Sequence, residues 1–193
     1  VGGIARISGH VEGATALSGI ITATVRDSRE LITCRLNDAT EADSAFQYYD
    51  RTKVLFNGAD SIKTGKFAFS FAVPKDINYS DGTGLINLYA VNNDKTITAN
   101  GHSDHFKVGG SDVADNDSIG PAIYCYLNSP SFENGGNVNT TPYFVAQVKD
   151  ENGINVTGSG IGHNLELIID GNATMTYNLN DNFNFYKKTK LNL

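Results

Sequence analysis

Apolar and polar residues alternate with a period of two through most of this chain, and that period limits the fold more than any other feature. Phe67, Phe69, Phe71 and Val73 alternate with Lys66, Ala68, Ser70 and Ala72. In an extended strand successive side chains point to opposite faces, so three phenylalanines share one face. Ile21, Ala23 and Val25 alternate with Thr22, Thr24 and Arg26. Ile86, Leu88 and Ala90 alternate with Asn87 and Tyr89. Ile123, Cys125 and Leu127 alternate with Tyr124 and Tyr126. Leu165, Leu167 and Ile169 alternate with Glu166 and Ile168. No window of ten or more residues carries a 3.6 period, and the best helix candidate, residues 39–46, is short. Strands that are each apolar on one face must close two sheets over a shared core. The expected fold is all-β, with tandem immunoglobulin-like β-sandwich domains.

Turn chemistry divides these strands. Asp170-Gly171 reads as a tight hairpin turn between strands at 165–169 and 173–179. Asn152-Gly153, Asn57-Gly58, Asp81-Gly82 and Asn100-Gly101 read as further turns. Pro74 ends the phenylalanine strand because it cannot donate to a ladder. The 21 asparagines and 20 glycines favour a loop-rich chain. The clearest boundary is the polar, acidic stretch 111–118. It predicts a first sandwich at 1–110 that closes by itself and a second, truncated one at 119–193. Five strands can be placed in the second, fewer than the roughly seven of a closed sandwich. That shortfall predicts an open edge available for contact with another copy or a partner.

At 193 residues the chain fits one domain or two small ones. A net charge of -6 and a pI near 5.1 argue against nucleic acid as a partner, since tracking phosphates needs a basic face. No apolar run approaches the roughly 20 residues of a membrane span. The N-terminal Val1-Gly2-Gly3-Ile4 lacks the basic and apolar regions of a signal peptide, so any such peptide is expected to have been removed or to lie upstream.

Candidate sites are few. Cys34 and Cys125 both lie in apolar, strand-like runs and read as buried free thiols, with a Cys34–Cys125 disulfide as the alternative. Neither has a histidine within nine residues, so no thiol nucleophile is expected. The loop from Gly158 to Gly162 leads into a strand rather than a helix and so reads as an inter-strand loop, not a phosphate cradle. His102, Asp104 and His105 read as a solvated strand end rather than a metal site. Asp112, Asp115 and Asp117 in the acidic linker are the candidate calcium ligands, weighed against a plain solvated linker. Tyr48, Tyr49, Tyr124, Tyr126 and Tyr143 raise a sugar-binding platform as a rival to ordinary packing.

One run is distinctive as a whole. Phe46-Gln47-Tyr48-Tyr49-Asp50-Arg51 is followed by Leu55-Phe56-Asn57-Gly58, by residues 65–71, and by Val73-Pro74-Lys75-Asp76-Ile77-Asn78-Tyr79-Ser80. Together with Tyr124-Cys125-Tyr126-Leu127-Asn128-Ser129-Pro130-Ser131-Phe132 and residues 158–163, it resembles the region after the peptidase domain in gingipain-type (C25) cysteine peptidases. The match is to the type IX secretion sortases of Bacteroidetes within that family. The family's catalytic His and Cys lie in an upstream domain that no stretch here matches, so no catalytic residue carries over. The resemblance implies a non-catalytic scaffold or docking segment of an exported, outer-membrane or cell-surface sortase, which removes C-terminal signals from cargo. Its implied partners are the upstream peptidase domain and the secretion and attachment components of the outer membrane. Three Asp-Ser-aliphatic triplets, at Asp43, Asp60 and Asp117, match the O-glycosylation pattern of such bacteria. The rival expectations are a free-standing surface adhesin or carbohydrate-binding module, and a complete enzyme joining His163 or His10 to a thiol.

Overall fold

The computed structural model describes residues 3–38, 40, 43–74, 76–110, 119–150, 153–154 and 164–186. Among these residues the chain is all-β, with no α-helix, and the expected fold class holds. The strands are β1 (Ile4–His10), β2 (Gly19–Arg26), β3 (Glu30–Thr33), β4 (Gln47–Asp50), β5 (Val54–Ile62), β6 (Lys66–Ala72), β7 (Leu85–Asn92) and β8 (Thr98–Ser103). They are followed by β9 (Ala122–Leu127), β10 (Phe144–Lys149), β11 (Glu166–Ile168), β12 (Thr176–Asn178) and β13 (Phe185–Tyr186).

The largest sheet has the order β13-β5-β2-β7-β8, and β1 pairs with β6 in a second layer. β2 is central, pairing antiparallel with β5 on one side and β7 on the other. Its apolar alternation is reproduced as burial: Ile21, Ala23 and Val25 are all buried. Across the core, β6 presents Phe67, Phe69 and Phe71, also buried. The Phe56 ring of β5 stacks on Phe69 at 5.5 Å and on Phe71 at 4.7 Å between centroids. This aromatic stack joins the two layers.

The sequence reading needs correction in several places. Asn57-Gly58 and Asn100-Gly101 are not turns; they lie inside β5 and β8. Gly58 is required there for another reason. A Cβ at this position would lie 2.7 Å from the Phe56 ring and 2.9 Å from the Phe185 carbonyl oxygen. The described residues of the 39–46 stretch form no helix. Residues 173–175 form a 3₁₀ turn capped by the Asn172 side chain, which shortens the expected strand at 173–179 to β12. The Asp170-Gly171 turn does hold. Both residues have positive φ, 53° and 68°, and Asn172 N–H donates to the Ile169 carbonyl at 2.9 Å, but the hairpin is wider than the tight one expected, because β11 and β12 pair with Ile168 opposite Thr176.

The edge of the first unit carries one strand from beyond residue 119. β13 adds in parallel to the edge of β5, with Phe185 opposite Gly58 and Tyr186 opposite Ala59. The Phe185 ring stacks on Phe56 at 5.1 Å and packs against the core. The physical reason is the open flank of β5: its unpaired backbone groups and the Phe56 ring accept a strand that the chain brings back from beyond residue 119.

Candidate functional site

The built polar feature of the molecule lies at the end of β2. Asp27 and Ser28 follow the strand and are the buried polar residues of the core region, at 0% and 1% exposure. Burying a carboxylate is costly unless donors surround it. Here Asp27 Oδ1 accepts the Ser28 N–H at 2.6 Å, and Oδ2 accepts the Asn78 N–H at 2.6 Å. The Asp27 N–H donates to the Lys53 carbonyl at 3.0 Å. The Asn78 side-chain amide donates to the Ser28 carbonyl at 3.1 Å, and the Ser28 and Ser80 hydroxyls lie 2.7 Å apart. One carboxylate thus ties the β2–β3 turn to the 77–82 loop, 51 positions away in sequence.

Three arginines lie beside that anchor. Arg26 ends β2 beside a register irregularity between Val25 and Arg26, and such bulges re-aim side chains. Arg29 lies in the β2–β3 turn, and Arg51 in the β4–β5 turn. Arg26 Nη1 donates to the Arg51 carbonyl at 3.1 Å, and Arg51 Nη2 donates to the Thr83 carbonyl at 3.2 Å. The Arg51 Nε–H is buried with no acceptor. Two hollows meet here. One, of about 510 Å³, is lined by Arg26, Arg29, Tyr49, Asp50, Arg51, Thr52 and Leu85. The other, of about 310 Å³, is lined by Ser28, Arg29, Arg51, Gly82, Thr83 and Asp104. Arg29 and Arg51 line both. Sequence reading missed this cluster because Arg51 comes from a different turn, more than 20 positions from Arg26 and Arg29.

The residues singled out from sequence are scattered. Cys34 is half-buried and Cys125 is exposed, and both are free thiols. The expected burial is therefore corrected for Cys125: it alternates correctly within β9, but that strand's apolar face is exposed among the described residues. His102, Asp104 and His105 are exposed at the end of β8, with His105 Nε2 3.5 Å from Asp104 Oδ1. Tyr124 and Tyr126 lie 5.6 Å apart but tilted by 47°, and Tyr48 stacks on Phe46 rather than on Tyr49. Ser44 and Ser61 of the Asp-Ser triplets are exposed, and Ser61 sits mid-strand in β5. Asp112, Asp115, Asp117, Ser118, the glycine loop from Gly158 to Gly162, and His163 lie outside the described residues. Among the described residues no group of three or more His, Cys, Asp or Glu side chains could hold a metal ion. No described helix is long and apolar enough to cross a membrane, which says nothing of a β-barrel.

No family model and no curated protein matches the chain. Among solved structures, a crystal structure of dimeric latent PorU from Porphyromonas gingivalis matches at 38% identity over 93% of the chain, with a TM-score of 0.56. This chain is similar to one region of PorU. It spans 17% of the PorU chain in that structure. The likeness to PorU runs through both the core sandwich and the region beyond the acidic stretch, since so little of the chain falls outside it. It agrees with the resemblance carried by the run from Phe46 to Ser80.

Proposed function

We propose that this chain is a non-catalytic scaffold or docking segment of a gingipain-type, cell-surface cysteine peptidase. The parent would be a type IX secretion sortase that removes C-terminal signals from exported cargo. The observation that carries this reading is the similarity to PorU at 38% identity over 93% of the chain, which spans only 17% of the PorU chain. The chemistry of the described residues is compatible with it. A cysteine peptidase needs a thiolate with a histidine in reach, and among the described residues neither Cys34 nor Cys125 bonds a histidine. By this reading the segment's partners are the upstream peptidase domain and outer-membrane secretion and attachment components, and its location is the cell surface. The rival sugar-binding module would be favoured by a flat aromatic row; the 47° tilt between Tyr124 and Tyr126 does not supply one.

The test is activity of the isolated 193-residue chain beside deletion of the segment from its parent. The chain alone should leave cargo-like peptides uncleaved. The deleted parent should still cleave short peptides but process full-length cargo poorly. Turnover by the isolated chain that disappears in Cys125→Ser or Cys34→Ser would overturn the reading.

A further inference from the structure

We propose that the paired hollows around Arg29 and Arg51 form a binding site for an acidic peptide segment, whose carboxylates are held by the guanidiniums of Arg26, Arg29 and Arg51. The first argument is charge. The chain carries -6 overall and has five arginines, yet three of them line one connected groove. Packing like charges together is unfavourable unless something opposes them. No carboxylate lies within ion-pair distance of these arginines among the described residues: the recorded pairs are Lys53–Asp76 and His105–Asp104. Asp50 and Asp104 each line one hollow, so the positive groups outnumber the negative. Asp50 Oδ1 is occupied by the Arg51 backbone N–H at 2.7 Å.

The second argument is hydrogen bonding. Arg51 offers five N–H donors, of which one is recorded on a protein acceptor and Nε is enclosed without any. Arg26 spends one recorded donor on a backbone carbonyl, and exposed Arg29 makes no recorded bond. The fork of a guanidinium matches a carboxylate in geometry and charge. Arg26 and Arg51 are also held in place by those backbone carbonyls, so little side-chain freedom is lost when a ligand arrives.

Shape selects a peptide over a single ion. Two adjoining hollows share the arginine bridge, so an extended ligand can cross it. The exposed Tyr49 ring and half-buried Leu85, which line the first hollow, offer apolar contact for a neighbouring side chain. A lone oxyanion would use only one hollow.

The test uses the full chain and a fluorescein-labelled tetraglutamate, followed by anisotropy at low and moderate salt, with inorganic phosphate as competitor. A chain of net charge -6 repels this probe overall, so saturable binding is informative. Saturable binding that falls about tenfold or more in Arg29→Gln, and is unchanged in Arg6→Gln on exposed β1, supports the proposal. Arg29 is the variant of choice because it anchors nothing in the fold. Arg51→Gln should weaken binding further, with near-native circular dichroism required for it to count. Phosphate that raises the melting temperature through Arg29 while tetraglutamate does not bind would overturn the peptide reading and leave a site for a free oxyanion. No binding of either, or binding that Arg29→Gln and Arg6→Gln reduce equally, would overturn the site altogether.

Discussion

The chain up to residue 110 and the chain from 119 onward carry similar alternating patterns but end in different physical states. Every buried core residue lies between Leu17 and Val108. Beyond residue 119 no described residue is buried: Ile123 is 64% exposed and Tyr143 79%. There β13 joins the sheet of the first region, while the other described strands form two separate two-stranded ribbons, β9 with β10 and β11 with β12. Two strands alone bury little and are marginal in water. In the first region β6 faces β5 across a stack of phenylalanines, so the apolar face of each strand has an opposite layer. Alternation therefore specifies which face of a strand wants burial. It does not supply the second sheet that provides it.

Substitution at Phe56 should break this contrast most sharply. Its ring touches Phe69, Phe71 and Phe185. Phe56→Ala should cost roughly 3–5 kcal/mol in urea unfolding followed by circular dichroism. Ile123→Ala, an equally regular strand position, should change stability by less than about 0.5 kcal/mol. Comparable losses at both sites would mean that β9 has a packed partner and that the two regions differ less than the burial pattern indicates.

Asp27→Ala should come next. It leaves the Ser28 and Asn78 N–H groups without their buried acceptor, at about 1–3 kcal/mol. A loss well below that range, with hydrogen exchange unchanged at Asn78, would show that the 77–82 loop does not depend on the carboxylate.

The strand that crosses between the regions can be tested at Gly58. Gly58→Ala forces a Cβ against the Phe56 ring and the Phe185 carbonyl, and should destabilise by about 1–3 kcal/mol. If β13 truly completes the β5 edge, Phe185→Ala should partly relieve that penalty in a double-mutant cycle. Additive effects would mean that β13 and the first sandwich are energetically separate.

Cysteine labelling gives the smallest perturbation. Exposed Cys125 should react with a maleimide in the native protein faster than half-buried Cys34, and Cys125→Ser should leave stability within about 0.5 kcal/mol of the parent. Equal, slow labelling at both thiols would place a cover over β9.

Much of the first region was legible in the sequence because its evidence is local. The faces of β2 and β6 and the stop at Pro74 follow from side-chain alternation and backbone sterics within a few residues, as does the turn at Asp170-Gly171 in the second region. Gly58 and Gly101 misled for the complementary reason. An Asn-Gly pair favours a turn in isolation, but cross-strand pairing to β2 and β7 overrides that preference. The arginine groove was invisible because Arg51 meets Arg26 and Arg29 only once β5 has paired with β2.

By itself, then, the sequence determined the all-β class, the strand faces and several strand ends, since all depend on the chain's period and on nearest neighbours. Tertiary structure alone decided which apolar faces found a partner. It brought Phe185 back to the edge of β5, left Cys125 exposed, and brought Arg51 beside Arg26 and Arg29. Each of these outcomes depends on contacts between residues tens of positions apart, and those contacts exist only after two layers have packed.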